Sequence, residues 1–322
     1  MQPAIRNVES ASGPSPRFDA DGRQRVALVR SPLGLVESVA SRGDSRPVGG
    51  FSPDFQVCLP YRGLFVFHVG RDDVLSDANQ VVFVAAGEPF RLSEPRPGGY
   101  AEIVVTVPPS LLAELVGGAP AALRRHPLFR LRRRRAEPRL QLLRARLLHA
   151  HDGDPLAADE LLVAVLRCAL AAETPAASPS AATRRLIART KEFVAGNLGE
   201  PFRLGDVARS VGASPAYLTD VFRRCEGLPL HRYTVQLRLA RALDELPHTA
   251  DLTGLALDLG FSSHSHFTAT FRRAFDCTPS DFRQSTRRRA ATAASARWRA
   301  SPPRWPPERA GVLRLGPPPS HA

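Results

Sequence analysis

The chain has 322 residues, 43% hydrophobic and 23% charged, a globular composition with enough length for two domains. Lys and Arg number 44 against 31 Asp and Glu, and the net charge of +13 favours a polyanionic partner, nucleic acid or an acidic membrane surface. Cys58, Cys168, Cys225 and Cys277 form no CxxC pair, which argues against a disulfide framework or a thiolate metal site and fits a reducing cytoplasm.

No apolar run reaches the ~18 residues of a membrane span. The opening MQPAIRNVESASGPSPR has no apolar core of the kind a signal peptide needs, so a cytoplasmic protein is expected. The charge is uneven. Residues 124–146 hold ten Arg and one Glu, residues 284–322 eight Arg and one Glu, and residues 181–283 fourteen basic against eleven acidic groups.

Residues 1–25 are polar and rich in Pro, Ser and Gly, and a mobile N-terminus is expected there. From Val26 the chain changes to short apolar runs, RVALV, FQVCL, GLFVFHVG, QVVFVAAG and AEIVVTV, parted by turn residues. Their β-branched and aromatic content predicts antiparallel strands of a sandwich or barrel, stopped by Pro108-Pro109. His68, alone on one run, reads as a satisfied interior side chain rather than a metal ligand.

Helical spacing follows. PSLLAELV makes a short helix, and PRLQLLRARLLHAH sets Leu140, Leu143 and Leu147 on one face. Asp154-Pro155 opens LAADELLVAVLRCALAAE, with Leu162, Val165, Leu166 and Ala169 in phase. The two longer helices either pack on the β region or form a dimer contact. The four arginines at 132–135 read as a solvated face or loop. TPAASPSAAT, residues 174–183, reads as a linker between a domain over 26–173 and a helical domain over 184–284. The Arg/Pro-rich residues 285–322 read as a disordered tail.

The helical domain holds one phrase twice. Leu204, Val207, Ala208, Val211 and Gly212 match Leu252, Leu255, Ala256, Leu259 and Gly260. One residue out of step, Ser214, Leu218, Phe222, Arg223 and Arg224 then match Ser263, Phe267, Phe271, Arg272 and Arg273. Each copy has the grammar of a helix-turn-helix. Gly212 or Gly260 permits the left-handed turn, and Ser214 or Ser263 caps the next helix with its hydroxyl. That helix buries Leu218 and Phe222, or Phe267 and Phe271, and leaves its other face polar. Between the copies, LHRYTVQLRLARALDEL forms one helix ended by Pro247. Its roughly 27 Å, plus the turns, approaches the ~34 Å between successive major-groove faces.

These residues carry a resemblance. VARSVG, the RLARA helix and GFSSHSHFTATFRRAFDCTPSDFR from Gly260 to Arg283 resemble the AraC/XylS family of bacterial transcription regulators, over residues 183–284. The resemblance implies an α+β chain. An N-terminal β-rich, cupin-like domain with helices would bind an effector or dimerise, and a C-terminal all-α domain of two helix-turn-helix units joined by a long helix would bind DNA. It implies that His264, Ser265, His266, Thr268 and Ala269 face the major groove, with Ala216, Thr219 and Asp220 at the matching places of the first copy. Arg223, Arg224, Arg272 and Arg273 are expected on phosphates, which position without specifying. The partners implied are double-stranded promoter DNA, RNA polymerase, an unidentified small-molecule effector and a second copy of the chain, with no membrane.

Against this stands His264-Ser265-His266 as a metal site. Residues i and i+2 of a helix point about 200° apart, so one metal does not take both, and no cofactor or metal is expected. The rival reading, a cupin-type metalloenzyme fused to a DNA-binding module, needs a His/Glu cluster that residues 50–110 do not offer. The chain is therefore read as a regulator, an activator by resemblance, and not as an enzyme.

Overall fold

The computed structural model describes residues 22–43, 48–70, 72–96, 98–149, 154–171 and 179–288. Strict alternation builds the β domain. Along β9 (Ala101–Val107), Ala101, Ile103, Val105 and Val107 point to one side while Glu102 and Val104 point to the other. β4 (Phe55–Arg62) and β7 (Gln80–Val84) alternate the same way.

With β1 (Arg23–Ser31), β2 (Gly34–Ser41) and β10 (Arg133–Arg135) they form one antiparallel sheet, ordered β1-β2-β9-β4-β7-β10. The second sheet is β3-β8-β5-β6, from β3 (Val48–Phe51), β5 (Phe65–Val69), β6 (Asp72–Ser76) and β8 (Pro89–Ser93). Between the sheets lies a lumen packed with Val39, Cys58, Phe65, Phe67, Val82, Tyr100 and Val104.

Helices cover the other side of the larger sheet. α1 (Pro109–Val116), α2 (Pro127–Leu131), α3 (Pro138–Leu148) and α4 (Pro155–Leu170) each open on a proline, whose missing N–H costs nothing there. Leu140, Leu147, Leu162, Val165, Leu166 and Ala169 share a core with Val57, Phe83 and Ile103. One face of each of these two helices is thus spent on the β domain. His68 bonds Asp73 through Nδ1 (2.6 Å) and Ser93 through Nε2 (2.7 Å), as a satisfied side chain should.

The arginine run is neither a free face nor a loop. Arg133–Arg135 form the edge strand β10, paired with β7. Arg132 forms an ion pair with Glu88, Arg133 reaches Glu226 (3.0 Å), and Arg135 reaches Glu137 (3.0 Å). Arg134 donates to the carbonyls of Cys168 and Ala169 at the end of α4, where the helix dipole favours a cation. Distant partners, absent from the local sequence, make this segment structural.

The helical half comprises α5 (Ala181–Gly196), α6 (Leu204–Val211), α7 (Pro215–Glu226), α8 (Leu230–Glu245), α9 (Leu252–Asp258), α10 (His264–Phe275) and a last helical segment over 279–288. It has two cores. Val207, Ala208, Val211, Leu218 and Phe222 form the first, and Leu255, Ala256, Leu259, Phe267 and Phe271 the second. α8 enters both, with Tyr233 and Leu237 in one and Leu243 and Leu246 in the other.

Three boundaries differ from expectation. β1 starts at Arg23, inside the segment read as mobile, and residues 1–21 lie outside the described residues. The Ser180 hydroxyl accepts from the Thr183 N–H and opens α5, so helix replaces linker from Ala181; residues 172–178 lie outside the described part. Residues 285–288 continue the last helical segment rather than begin a tail, whose residues 289–322 are likewise outside. Among the described residues no helix is long and apolar enough to cross a membrane.

Candidate nucleic-acid interface

In both copies the turn residues take the conformations their chemistry allows. Gly212 (φ 70°) ends α6 in the left-handed region, its N–H on the Ala208 and Arg209 carbonyls. Gly260 (φ 78°) does the same after α9, in a tighter place: a methyl group there would lie 2.6 Å from the Arg238 guanidinium. That guanidinium donates to Leu198 O (2.9 Å) and Gly260 O (2.7 Å), tying the loop before α6 to the second turn. Ser214 Oγ accepts from the Tyr217 N–H (3.3 Å), and Ser263 Oγ from the His266 N–H (3.1 Å).

α10 buries Phe267, Phe271 and Phe275 and turns the opposite face outward. His264, Ser265, Thr268, Ala269, Arg272 and Arg273, with Asp276 and Thr278, line an open concavity of about 730 Å³. His264 Nε2 lies 3.5 Å from Thr268 Oγ1 one turn on, so two groups able to donate to or accept from base edges are held side by side. His266 is exposed on the same helix. Its Nδ1 lies 3.0 Å from Ser262 Oγ and its ring meets Phe261 edge-on at 5.5 Å.

α7 presents Ala216, Thr219, Asp220, Arg223 and Arg224, all exposed, over a buried Leu218–Phe222 face. Asp220 pairs with Arg224 (3.2 Å), so part of the expected phosphate charge is turned along the helix. Thr219 Oγ1 donates to Pro215 O (2.9 Å), which occupies its hydrogen. Tyr217, 53% exposed on the same helix, was missed by sequence reading. An aromatic between Ala216 and Leu218 that belongs to no core is its signal. Arg272 and Arg273 are exposed, as are Arg223 and Arg224, so all four cations stand on the outer faces of the two units.

Two structurally equivalent helix-turn-helix units, with basic outer faces and a shared spacer helix, define a double-headed DNA-binding domain. Residues 207–285 match the helix-turn-helix domain family, and residues 11–174 the AraC-binding-like domain family. The chain is 32% identical over 139 residues to HTH-type transcriptional activator RhaR of Klebsiella pneumoniae, spanning 42% of this chain and 50% of that one. It is 36% identical over 101 residues to regulatory protein SoxS of Salmonella typhimurium, spanning 31% of this chain and 94% of that one. A solved AraC-type regulator from Chromobacterium violaceum is 30% identical, covers 33% of this chain and 96% of its own, with a TM-score of 0.31. The chain belongs to the AraC/XylS family and is a DNA-binding transcriptional regulator.

Proposed function

We propose that the protein is a cytoplasmic one-component activator of transcription that acts by binding rather than by catalysis. The two units bind successive major-groove faces of promoter DNA and the bound protein recruits RNA polymerase. The observation that carries this reading is the concavity on α10, where His264, Ser265, Thr268 and Ala269 meet a basic margin of Arg272 and Arg273. These four read bases, α7 adds Ala216, Tyr217 and Thr219, and the arginines hold phosphates. Asp220, paired with Arg224, contributes least.

The N-terminal domain senses a small molecule or joins two copies of the chain. Support for sensing comes from the lumen, where Arg23 Nε, Tyr100 Oη, Glu94 Oε2 and Glu102 Oε2 are buried without a hydrogen-bond partner in the protein. Selection of duplexes by the full chain from a random pool tests the DNA reading. His264→Ala and Thr268→Ala should each relax choice at a few base positions by ~1–3 kcal/mol, whereas Arg272→Ala should weaken all sequences alike and lower the salt slope by about 1. Unchanged base preference in both polar variants would overturn the assignment of α10.

A further inference from the structure

One stripe of α8 lies against the N-terminal half. The Tyr233 hydroxyl donates to Asp77, and Tyr233 O accepts from Asn79 Nδ2 (2.9 Å). Gln236 Nε2 donates to Ala136 O (2.5 Å), and Asp244 accepts from Arg62 Nε (2.9 Å). Positions 233, 236 and 244 recur on one helical face over three turns. At either end an alanine of the N-terminal half completes a core: Ala78 joins the first unit's and Ala145 the second's.

A buried charge cluster fastens the first end. Lys191 Nζ lies 2.8 Å from Glu226 Oε2 and 3.7 Å from Asp77 Oδ2, and Arg133 Nη1 lies 3.0 Å from Glu226 Oε1. Lys191 is the only lysine in the chain, and a compact ammonium fits between two carboxylates where a planar guanidinium fork does not. Glu226 is the last residue of α7, so the grip falls on a reading helix itself. The outer face of α7 stays exposed, as do Ser265, Ala269, Arg272 and Arg273 of α10.

We propose that Asp77 and Arg62 are positioning residues for DNA recognition: they splint α8 against the β domain and thereby fix the separation and rotation between α7 and α10. The inference rests on the reading that both helices contact DNA. A spacer of 16 residues is about 24 Å long. One added base pair moves a half-site by ~3.4 Å and ~34°, so tolerance of spacing measures the stiffness of the spacer.

The test selects two-word duplexes from a pool in which the gap between words varies, using the full chain, Asp77→Asn and Arg62→Ala. Both variants should select the wild-type words, while preference for the best gap over the next falls about fivefold or more. An unchanged gap preference in folded variants overturns the proposal. So does equal loss of binding at every gap, the mark of a merely structural role. Arg62 is 61% exposed in its side chain, so Arg62→Ala keeps the fold even if Asp77→Asn does not. If the wild type selects one word only, the two-reader function fails separately. Hydrogen exchange without DNA then decides the splint: it should rise across residues 230–245 in Arg62→Ala and stay level in β4 and β9, and no rise overturns it.

Discussion

Two buried glutamates, one at each end of the molecule's polar interior, are treated in opposite ways. Burial raises Glu226, but Lys191 and Arg133 more than offset that and hold its carboxyl below the ordinary value. Burial also raises Glu102, and the opposing fields of Arg23 and Arg25 are too weak to offset it, so its carboxyl is pushed up to about 7. The first glutamate sits among completed ion pairs between two halves of the chain. The second faces a lumen where several polar atoms have no hydrogen-bond partner in the protein. A satisfied buried charge fastens one element to another. An unpaired one costs stability.

The largest test of this contrast is Lys191→Met, which leaves Asp77 and Glu226 facing each other with only Arg133 to compensate. Denaturant unfolding should show a loss of about 3–5 kcal/mol. Glu226→Gln should destabilise in the same direction. Its carboxylate contributes stability that is present above the ordinary glutamate range and is lost as pH falls through the depressed folded value.

Glu102→Gln should do the reverse. Between the ordinary value and about pH 7 the unfolded chain ionises this carboxyl while the folded chain keeps it protonated, so stability falls as pH rises through that window. The amide removes the penalty, a gain of roughly 3 kcal/mol at pH 8 that shrinks to below about 0.5 kcal/mol at pH 4.5. Thermal melts at the two pH values would read it, and an equal effect at both would break the contrast. Smallest is Arg62→Ala, which removes a largely exposed guanidinium from a nearly buried Asp244. It should cost about 1–2 kcal/mol in the same melts, because the buried Asp244 loses its donor.

The helical half was legible because its rules are local. A capping serine, a glycine that accepts positive φ and apolar residues at i and i+4 lie within a few positions of each other, and the phrase occurs twice. The interface was not legible, because Asp77, Arg133 and Lys191 meet only after folding and nothing near each residue announces the others. Glu102 was concealed inside AEIVVTV, where a strand reading sees one polar residue in an alternation and cannot tell a solvent side from a lumen. Ala78 and Ala145 carry no signal at all, since alanine in a core becomes informative only once it is known whose core it completes.

The four arginines at 132–135 have one further consequence, for substitution. One residue type is put to four uses: an ion pair with Glu88, a link to Glu226 on α7, a seal on the carbonyls that end α4 and a half-exposed pair with Glu137. Lysine keeps the charge at each place but loses the planar fork, so the same exchange would be felt unequally along the run. A stretch that reads as repetition is thus a short passage of four distinct instructions spelled with one letter.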